Sequence, residues 1–96
     1  MLVSEFAPIF LRDIKRLQKN HKDTSQLRTV ITLILENTTE TREELIRHHR
    51  MHTLSGAWSG SSECHVCNAG DWLLVWAESD GIAYFQRTGT HDEIFR

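Results

Sequence analysis

The chain of 96 residues has little of what marks several common classes of protein. Its two cysteines, Cys64 and Cys67, are too few for a disulfide framework, and we expect them to be thiols. No apolar run approaches the roughly 20 residues of a membrane helix, so no membrane association is expected. The N-terminus has neither the basic flank nor the apolar stretch of a secretory signal, and the expected location is the cytoplasm. The length predicts a single domain over 1–96.

Positive charge is also scarce, because the formal net charge is −2. Lys and Arg supply most of the non-specific affinity for nucleic acids, so this value argues against a general nucleic-acid binder. The charge is unevenly placed, with +2 in 1–50 and −4 in 51–96. A net +4 lies within 12–28, which is either a solvated helix face or a surface for RNA. The candidate RNA-binding residues of this segment are Lys15, Arg16, Lys19 and Lys22.

The spacing of apolar residues predicts two helices in the first half of the chain. Pro8 suits a first helical position, and apolar residues recur at helical spacing up to Leu17. Asp23 resembles the N-cap of a second helix, whose apolar stripe ends at Leu35. The polar residues that follow fit either a loop or one short helix over Arg42 to His49.

The second half has the signals of β-strands. Three strands are predicted, over 63–67, 72–76 and 82–87, and Asp80-Gly81 is predicted as a hairpin turn. The segment 72–76 is apolar on both faces, which indicates a central strand that is covered on each side. Helices early and strands late together predict an α+β fold.

Three histidines and an aspartate of the second half lie in short motifs. The motifs are His52-x-Leu54-x-Gly56-x-Trp58-x-Gly60, Glu63-x-His65, Asp71-Trp72-Leu73-Leu74 and Arg87-Thr88-Gly89-Thr90-His91-x-x-x-Phe95. Together with the basic first helix they resemble YafQ-type toxins of the RelE/ParE superfamily. The resemblance covers nearly the whole chain, and the C-terminal string is its most specific part.

The resemblance implies a fold, an activity and partners. The implied fold is a small twisted antiparallel β-sheet packed against two N-terminal helices. The implied activity is that of a ribosome-dependent mRNA interferase of a type II toxin–antitoxin pair, which cuts mRNA in the ribosomal A site. A cognate antitoxin would cover the active face, and the toxin–antitoxin complex could bind operator DNA through the antitoxin. No cofactor and no metal are expected.

The candidate residues suit RNA cleavage by an internal nucleophile. This chemistry needs a base for the 2′-OH, an acid for the departing 5′ oxygen, and groups that stabilise charge on the phosphate. Imidazole can serve as base or acid near neutral pH. We therefore assign His91 as general acid and Asp71 or His52 as base. His65 is assigned as a phosphate contact or as a residue that supports the others.

Three further residues are candidates for RNA binding. Arg87 would contact the phosphate, and Trp72 or Phe95 would stack on a base. Because Trp72 begins an apolar strand, packing in the core is at least as good an interpretation of it. Asp71 could likewise be a turn residue before that strand.

The sequence departs from the YafQ-type pattern at two places. The connection Cys67-Asn68-Ala69-Gly70 is longer than usual, with Gly70 in the position of a proline. If the loop does not absorb the extra length, Asp71 is displaced, and catalytic geometry is sensitive to shifts of about 1 Å. Ser62 stands where a basic residue is common.

Two alternatives to a ribonuclease stay open at this point. One is a zinc module that uses Cys64, Cys67, His49 and His52, although strand positions three apart face opposite sides unless the chain turns. The other is a ParE-like toxin, which binds DNA gyrase without cutting RNA. The imidazoles favour cleavage, because a toxin that acts by binding has no need of them.

Overall fold

The computed structural model describes residues 1–67 and 70–96. The elements of this part, in chain order, are β1 (Val3–Phe6), α1 (Pro8–Lys19), α2 (Thr24–Glu36), α3 (Thr39–His49), β2 (His52–Thr53), a 3-10 turn (Gly56–Trp58), β3 (Ser61–His65), β4 (Leu73–Ser79), β5 (Ile82–Gly89) and α4 (His91–Phe95). The central part of the longer connection, Asn68-Ala69, lies outside the described residues.

The strands form one sheet in the order β1-β5-β4-β3-β2. The pairs β5-β4, β4-β3 and β3-β2 are antiparallel, whereas β1 runs parallel to β5. The α+β class is therefore confirmed, but the sheet is mixed rather than wholly antiparallel. The reason is topological: β1 and β5 lie at opposite ends of the chain, so no hairpin turn imposes an antiparallel pairing on them.

Local signals explain the bounds of the helices. Pro8 is the first residue of α1, as its missing N–H allows, and Asp23 caps α2 by accepting the Ser25 N–H at 3.0 Å. The ambiguous polar segment is a helix, α3, because Thr38 and Thr41 form a reciprocal capping box at its start. The two helices predicted in the first half are thus three.

The hairpin between β4 and β5 turns at the predicted residues. Asp80 and Gly81 both have positive φ angles, 52° and 78°, as a tight two-residue turn of this kind requires. A register shift between Val75 and Trp76 interrupts the pairing of the two strands. The predicted strands were displaced at their ends, since β3 begins at Ser61 and β5 continues to Gly89.

The sheet is covered on both faces, as the apolar strand predicted. On one face, β4 residues Leu74 and Trp76 belong to the main core with Phe10, Leu27 and other residues of the helices. On the opposite face, a smaller cluster of Leu73 and Val75 packs against Ile94 of α4, with Leu54 and Trp58 at its border. Among the described residues, this cluster covers the second face only in part, and that face carries the candidate site.

Candidate active site

Strand register places several predicted residues on the partly covered face. His52, Glu63, Val75 and Arg87 are successive partners across β2, β3, β4 and β5. His65 lies two residues after Glu63, so the two side chains share a face of the sheet. Glu63-x-His65 has the two-residue spacing that places both side chains on one face of a strand.

Asp71 and His91 form the best-defined contact of the site. His91 begins α4, whose N-cap Thr90 forms a capping box with Glu93. Asp71 Oδ1 accepts the backbone N–H of His91 at 3.0 Å and lies 2.8 Å from its Nδ1. These bonds, that of the backbone first, hold the pKa of Asp71 below its ordinary value. An ionised carboxylate only accepts hydrogen bonds, so Nδ1 carries the proton and Nε2 is left for a substrate.

Asp71 is therefore in contact with His91 despite the longer connection. His65 joins the pair, with its ring centroid 6.5 Å from that of His91. The ring centroid of Phe95 lies 6.1 Å from that of His91, and Phe95 packs edge-on against Trp58 at 5.5 Å. The structure thus brings His65, Asp71, His91 and Phe95 together.

The Nδ1 atom of His65 is buried and has no hydrogen-bond partner in the described part of the chain. The carbonyl oxygen of His65 accepts a hydrogen bond from His49 Nδ1 at 2.8 Å. Buried polar atoms are usually paired, and the exceptions are frequent at functional sites. The side chain of His65 is therefore anchored less by polar contacts than its backbone is.

His52 is placed differently, because its partner is a buried acid. Its Nε2 lies 3.3 Å from Glu63 Oε1, and its Nδ1 lies 2.9 Å from the carbonyl oxygen of Arg50. Glu63 is 4% exposed. Sequence reasoning did not assign a role to Glu63, although its position two residues before His65 was the available signal. The His52–Glu63 pair is the second contact between a histidine and a carboxylate on this face.

Arg87 is tied to a residue that sequence reasoning also missed. Asp13, buried in α1, receives Arg87 Nε at 2.9 Å and Nη2 at 3.2 Å. Burial by itself would raise the pKa of Asp13, but hydrogen bonds from Arg87 and its other donors outweigh it and hold the pKa below the ordinary value. The same carboxylate raises the pKa of Arg87. No spacing in the sequence links residues this far apart.

Two predicted RNA contacts make internal contacts. Trp72 is 8% exposed and its indole N–H donates to Thr88 Oγ1 at 3.0 Å, which favours packing in the core. The guanidinium of Arg16 pairs with Asp13 and Glu93. Phe95, which is 39% exposed, is the more accessible stacking candidate.

The remaining basic candidates are exposed. Lys15, Lys19 and Lys22 all lie on the surface of α1 or directly after it. Lys22 Nζ lies 5.8 Å from the centroid of the Trp72 ring. Beside it, a cleft of about 140 Å³ runs between α1 and α4 to Asp71. Basic residues therefore border the site on the side of α1.

The zinc alternative is not supported by the positions of its four residues. Cys64 is fully buried, and burial raises the pKa of its thiol further from the thiolate that zinc requires. Cys67 Sγ donates to Gln26 Oε1 at 2.7 Å. Within 1–67 and 70–96, no three His, Cys, Asp or Glu side chains are grouped so that they could hold a metal ion. No helix in these ranges is long and apolar enough to cross a membrane.

Comparison with known proteins agrees with the geometry. The profile of the family described as bacterial toxin of type II toxin–antitoxin system, YafQ, matches residues 3–96. The mRNA interferase toxin YafQ of Escherichia coli strain K12 is 35% identical over 91 residues, covering 95% of this chain and 92% of that protein.

Solved structures show the same likeness. The crystal structure of YafQ from E. coli strain BL21(DE3) has a TM-score of 0.85 and 32% identity, and the match covers 100% of both chains. A chain of the E. coli DinJ-YafQ toxin–antitoxin complex has a TM-score of 0.82 and 34% identity over 97% of this chain and 96% of that one. With a family match over almost its full length, this chain belongs to the YafQ family of bacterial toxins of type II toxin–antitoxin systems.

Proposed function

We propose that this toxin is a ribosome-dependent mRNA interferase that cleaves RNA by metal-independent acid–base catalysis. The observation that carries the proposal is the Asp71–His91 pair, with 2.8 Å between Oδ1 and Nδ1, next to His65 and Phe95. Two imidazoles, a carboxylate and a partly exposed aromatic ring are what this reaction needs at one place. Membership of a family whose relatives include a named mRNA interferase supports the same reaction.

His91 is the proposed general acid. Asp71 fixes the proton on Nδ1, so a proton on Nε2 can pass to the departing 5′ oxygen while the carboxylate stabilises the imidazolium before transfer. Asp71 is unsuited to be the base, because a proton taken up by its carboxylate would remove the charge that stabilises the His91 imidazolium. His52 is the proposed base for the 2′-OH through Nε2, which must exchange its contact with Glu63 for the 2′-OH, because Nδ1 faces the carbonyl oxygen of Arg50.

The phosphate and the base of the substrate have separate candidates. His65 and Arg87 would donate to the phosphate oxygens as charge develops on them. Phe95 would stack on a base that is turned out of the RNA strand. The products would carry a 2′,3′-cyclic phosphate and a free 5′-OH, because the 2′ oxygen replaces the 5′ oxygen on phosphorus.

The charge around the site supports the proposed dependence on the ribosome. The second half of the chain carries −4, and Asp13 and Glu93 already neutralise much of Arg16 and Arg87. A site with so little free positive charge binds free RNA weakly. We propose that the ribosome presents the messenger and that Lys15, Lys19 and Lys22 contact ribosomal RNA. The cytoplasm is then the place of action.

A cognate antitoxin is the expected protein partner, as in the E. coli DinJ-YafQ complex. We infer that it covers the face with His65 and His91 and that the pair binds operator DNA through the antitoxin. Covering this face would block access of RNA to the acid–base pair. Co-expression with the neighbouring reading frame should therefore restore growth.

The test is inducible expression of the wild type and of His91→Ala, with growth and messenger cleavage measured by primer extension. Cleavage at codon boundaries that requires translation, and its loss in a folded His91→Ala variant, would support the proposal. Equal toxicity of the two chains without cleavage would instead indicate a ParE-like binding toxin.

Metal independence needs its own experiment, because ribosomes require Mg²⁺. Sulfur in place of a non-bridging oxygen at the cleaved phosphate should slow cleavage, and Mn²⁺ or Cd²⁺ should not restore the rate. Restoration by either ion would contradict the proposed mechanism. A 2′-deoxy nucleotide at the same position should abolish cleavage, since the nucleophile is then absent.

A further inference from the structure

We propose that Asp13 and Arg16 of α1 are positioning residues of this site: Asp13 holds the guanidinium of Arg87, and Arg16 holds helix α4, which carries His91. The inference rests on the proposed function, because it concerns how the ribonuclease residues are kept in place. Neither residue belongs to the motifs of the second half of the chain.

The Asp13 carboxylate is the centre of a buried network. Its side chain is 2% exposed and receives four hydrogen bonds, which is a full set for a carboxylate. The donors are Arg16 Nη1 at 2.8 Å, Arg87 Nε at 2.9 Å, Arg87 Nη2 at 3.2 Å and the Thr88 N–H at 3.0 Å. Two planar contacts to one carboxylate fix the orientation of Arg87 as well as its position.

Arg16 continues the network from α1 to α4. Its three nitrogens contact three different groups: Nη1 contacts Asp13, Nη2 donates to the Thr88 carbonyl oxygen at 3.0 Å, and Nε pairs with Glu93 Oε2 at 2.9 Å. The other carboxylate oxygen of Glu93 accepts the Thr90 N–H at 2.8 Å. Arg16 therefore holds Glu93, the residue that completes the capping box of α4 with Thr90.

The side chains of Arg16 and Glu93 lie close to the backbone of Gly89. This residue has a φ of +150°, and a Cβ atom there would lie 2.7 Å from Arg16 Nη2 and 2.7 Å from Glu93 Oε1. A Cβ atom there would force the ends of the Arg16 and Glu93 side chains to move. Glycine at this position thus lets the bridge between α1 and α4 pass directly over the end of β5.

Helix α4 depends on such contacts, because five residues are too few to form a stable helix alone. Arg87 adds a further tie by donating from Nη2 to the Glu93 carbonyl oxygen at 3.1 Å. A small change in the position of α4 moves His91, and misplacement by about 1 Å can cost on the order of 10²-fold in rate. The network is therefore expected to act on turnover rather than on ribosome binding.

The first experiment compares Arg16→Met with Arg12→Met in a cleavage assay on programmed ribosomes. Arg12 is an exposed cation of the same helix, so its replacement controls for the loss of one charge. We expect Arg16→Met to lower kcat by on the order of tenfold or more with KM within about twofold of the control. A change in KM alone would mean that Arg16 contacts RNA, and a kcat equal to that of the control would also overturn the proposal.

Arg16→Lys separates positioning from charge. A lysine ammonium cannot reach three separate partners as the guanidinium fork does, so we expect a loss of kcat close to that of Arg16→Met. Full recovery with lysine would refute the role of the fork. Combining Arg16→Met with Glu93→Gln should add little further loss, because both changes break the same link. Additive losses would show that the two residues act separately.

Hydrogen exchange gives a readout without ribosomes. Two backbone amides report on α4. The His91 N–H donates to Asp71, and the Ile94 N–H donates to the Thr90 carbonyl oxygen in the first turn. In Arg16→Met they should exchange about tenfold faster than in Arg12→Met, while amides of β4 stay unchanged. Unchanged exchange would overturn the positioning of α4. If exchange rises but His91→Ala cleaves normally, the positioning stands and the proposed function fails.

Asp13→Asn tests the other half of the network. The amide keeps the size of the side chain but offers only one oxygen to the donors around it, so Arg87 is released and kcat should fall at least as far as in Arg16→Met. A folded Asp13→Asn protein with the kcat of the wild type would refute the role of Asp13. If the variant does not fold, Arg87→Lys, which leaves the Asp13 carboxylate intact, should lower kcat by a similar factor, and a normal kcat there would be the refuting result.

Discussion

Replacement of Asp71 by asparagine and by alanine should give losses of different size. Both contacts of His91, from its backbone N–H and from Nδ1, are made to the same oxygen, Oδ1. An asparagine oxygen can accept both, so Asp71→Asn removes the charge but keeps the orientation of the ring. Alanine removes the orientation as well. The structure therefore predicts that alanine is the more harmful change.

The expected losses of kcat depend on how exposed the Asp71–His91 pair is and on its role in catalysis. Asp71 and His91 have side chains that are 54% and 57% exposed, so water screens the charge between them. We expect Asp71→Asn to lose about tenfold in kcat, because a charged acceptor is roughly twice as strong as a neutral one. Asp71→Ala should lose on the order of 10²-fold, the lower end of what a general acid contributes.

The assay is single-turnover cleavage of a defined message on purified ribosomes, with saturating toxin. Asp92→Asn is the matched control, because this exposed acid lies next to His91 in α4. The reasoning is refuted if asparagine is as harmful as alanine, or if both variants stay within about threefold of the control.

Three further predictions concern stability and thiol chemistry. Thr88→Val should lower the free energy of unfolding by about 2 kcal/mol in urea, because the buried indole N–H of Trp72 loses its acceptor. The pKa of Asp13 is lower in the folded chain than its ordinary 3.8, so its contribution to stability is present above that pH and is lost as pH falls through the folded value. The free energy of unfolding should therefore decrease less steeply with falling pH in Asp13→Asn than in the wild type. In the native protein, iodoacetamide should label Cys67 and spare Cys64, whose thiol is buried.

Each of these has a clear contrary result. The control is Thr32→Val, at an exposed threonine. If Thr88→Val lowers the free energy of unfolding no more than Thr32→Val, the hydrogen bond of the indole is unimportant for stability. An unchanged slope of stability against pH in Asp13→Asn would show that other carboxylates dominate acid unfolding. Equal labelling of the two cysteines, followed by mass spectrometry, would show that β3 opens readily.

Local patterns predicted the elements that depend on neighbours in the chain. The apolar spacing of α1 and α2 and the turn at Asp80-Gly81 are such features, and all three are confirmed. The polar residues 37–50 fit a loop or a helix from the sequence, because their amphipathicity is weak, and the Thr38–Thr41 capping box decides for the helix in the structure. The parallel pairing of β1 with β5 was missed, since it joins the two ends of the chain.

The motifs similarly predicted which residues of the site meet, but not how each is held. The structure brings together four of the predicted residues, His65, Asp71, His91 and Phe95, because the strands and the short helix place them near one another. The roles of other residues depend on burial, which the motifs do not predict. Trp72 was ambiguous from the sequence until its indole was placed in the core.

The amino-acid sequence alone thus determined the family resemblance and the first two helices and indicated the candidate acid–base residues, since short-range spacing carries this information. The tertiary structure decided that Glu63 partners His52 and that Asp13 and Arg16 hold Arg87 and α4. These contacts join side chains from distant parts of the chain, and whether a charged side chain faces solvent or a buried partner depends on packing that no local pattern encodes.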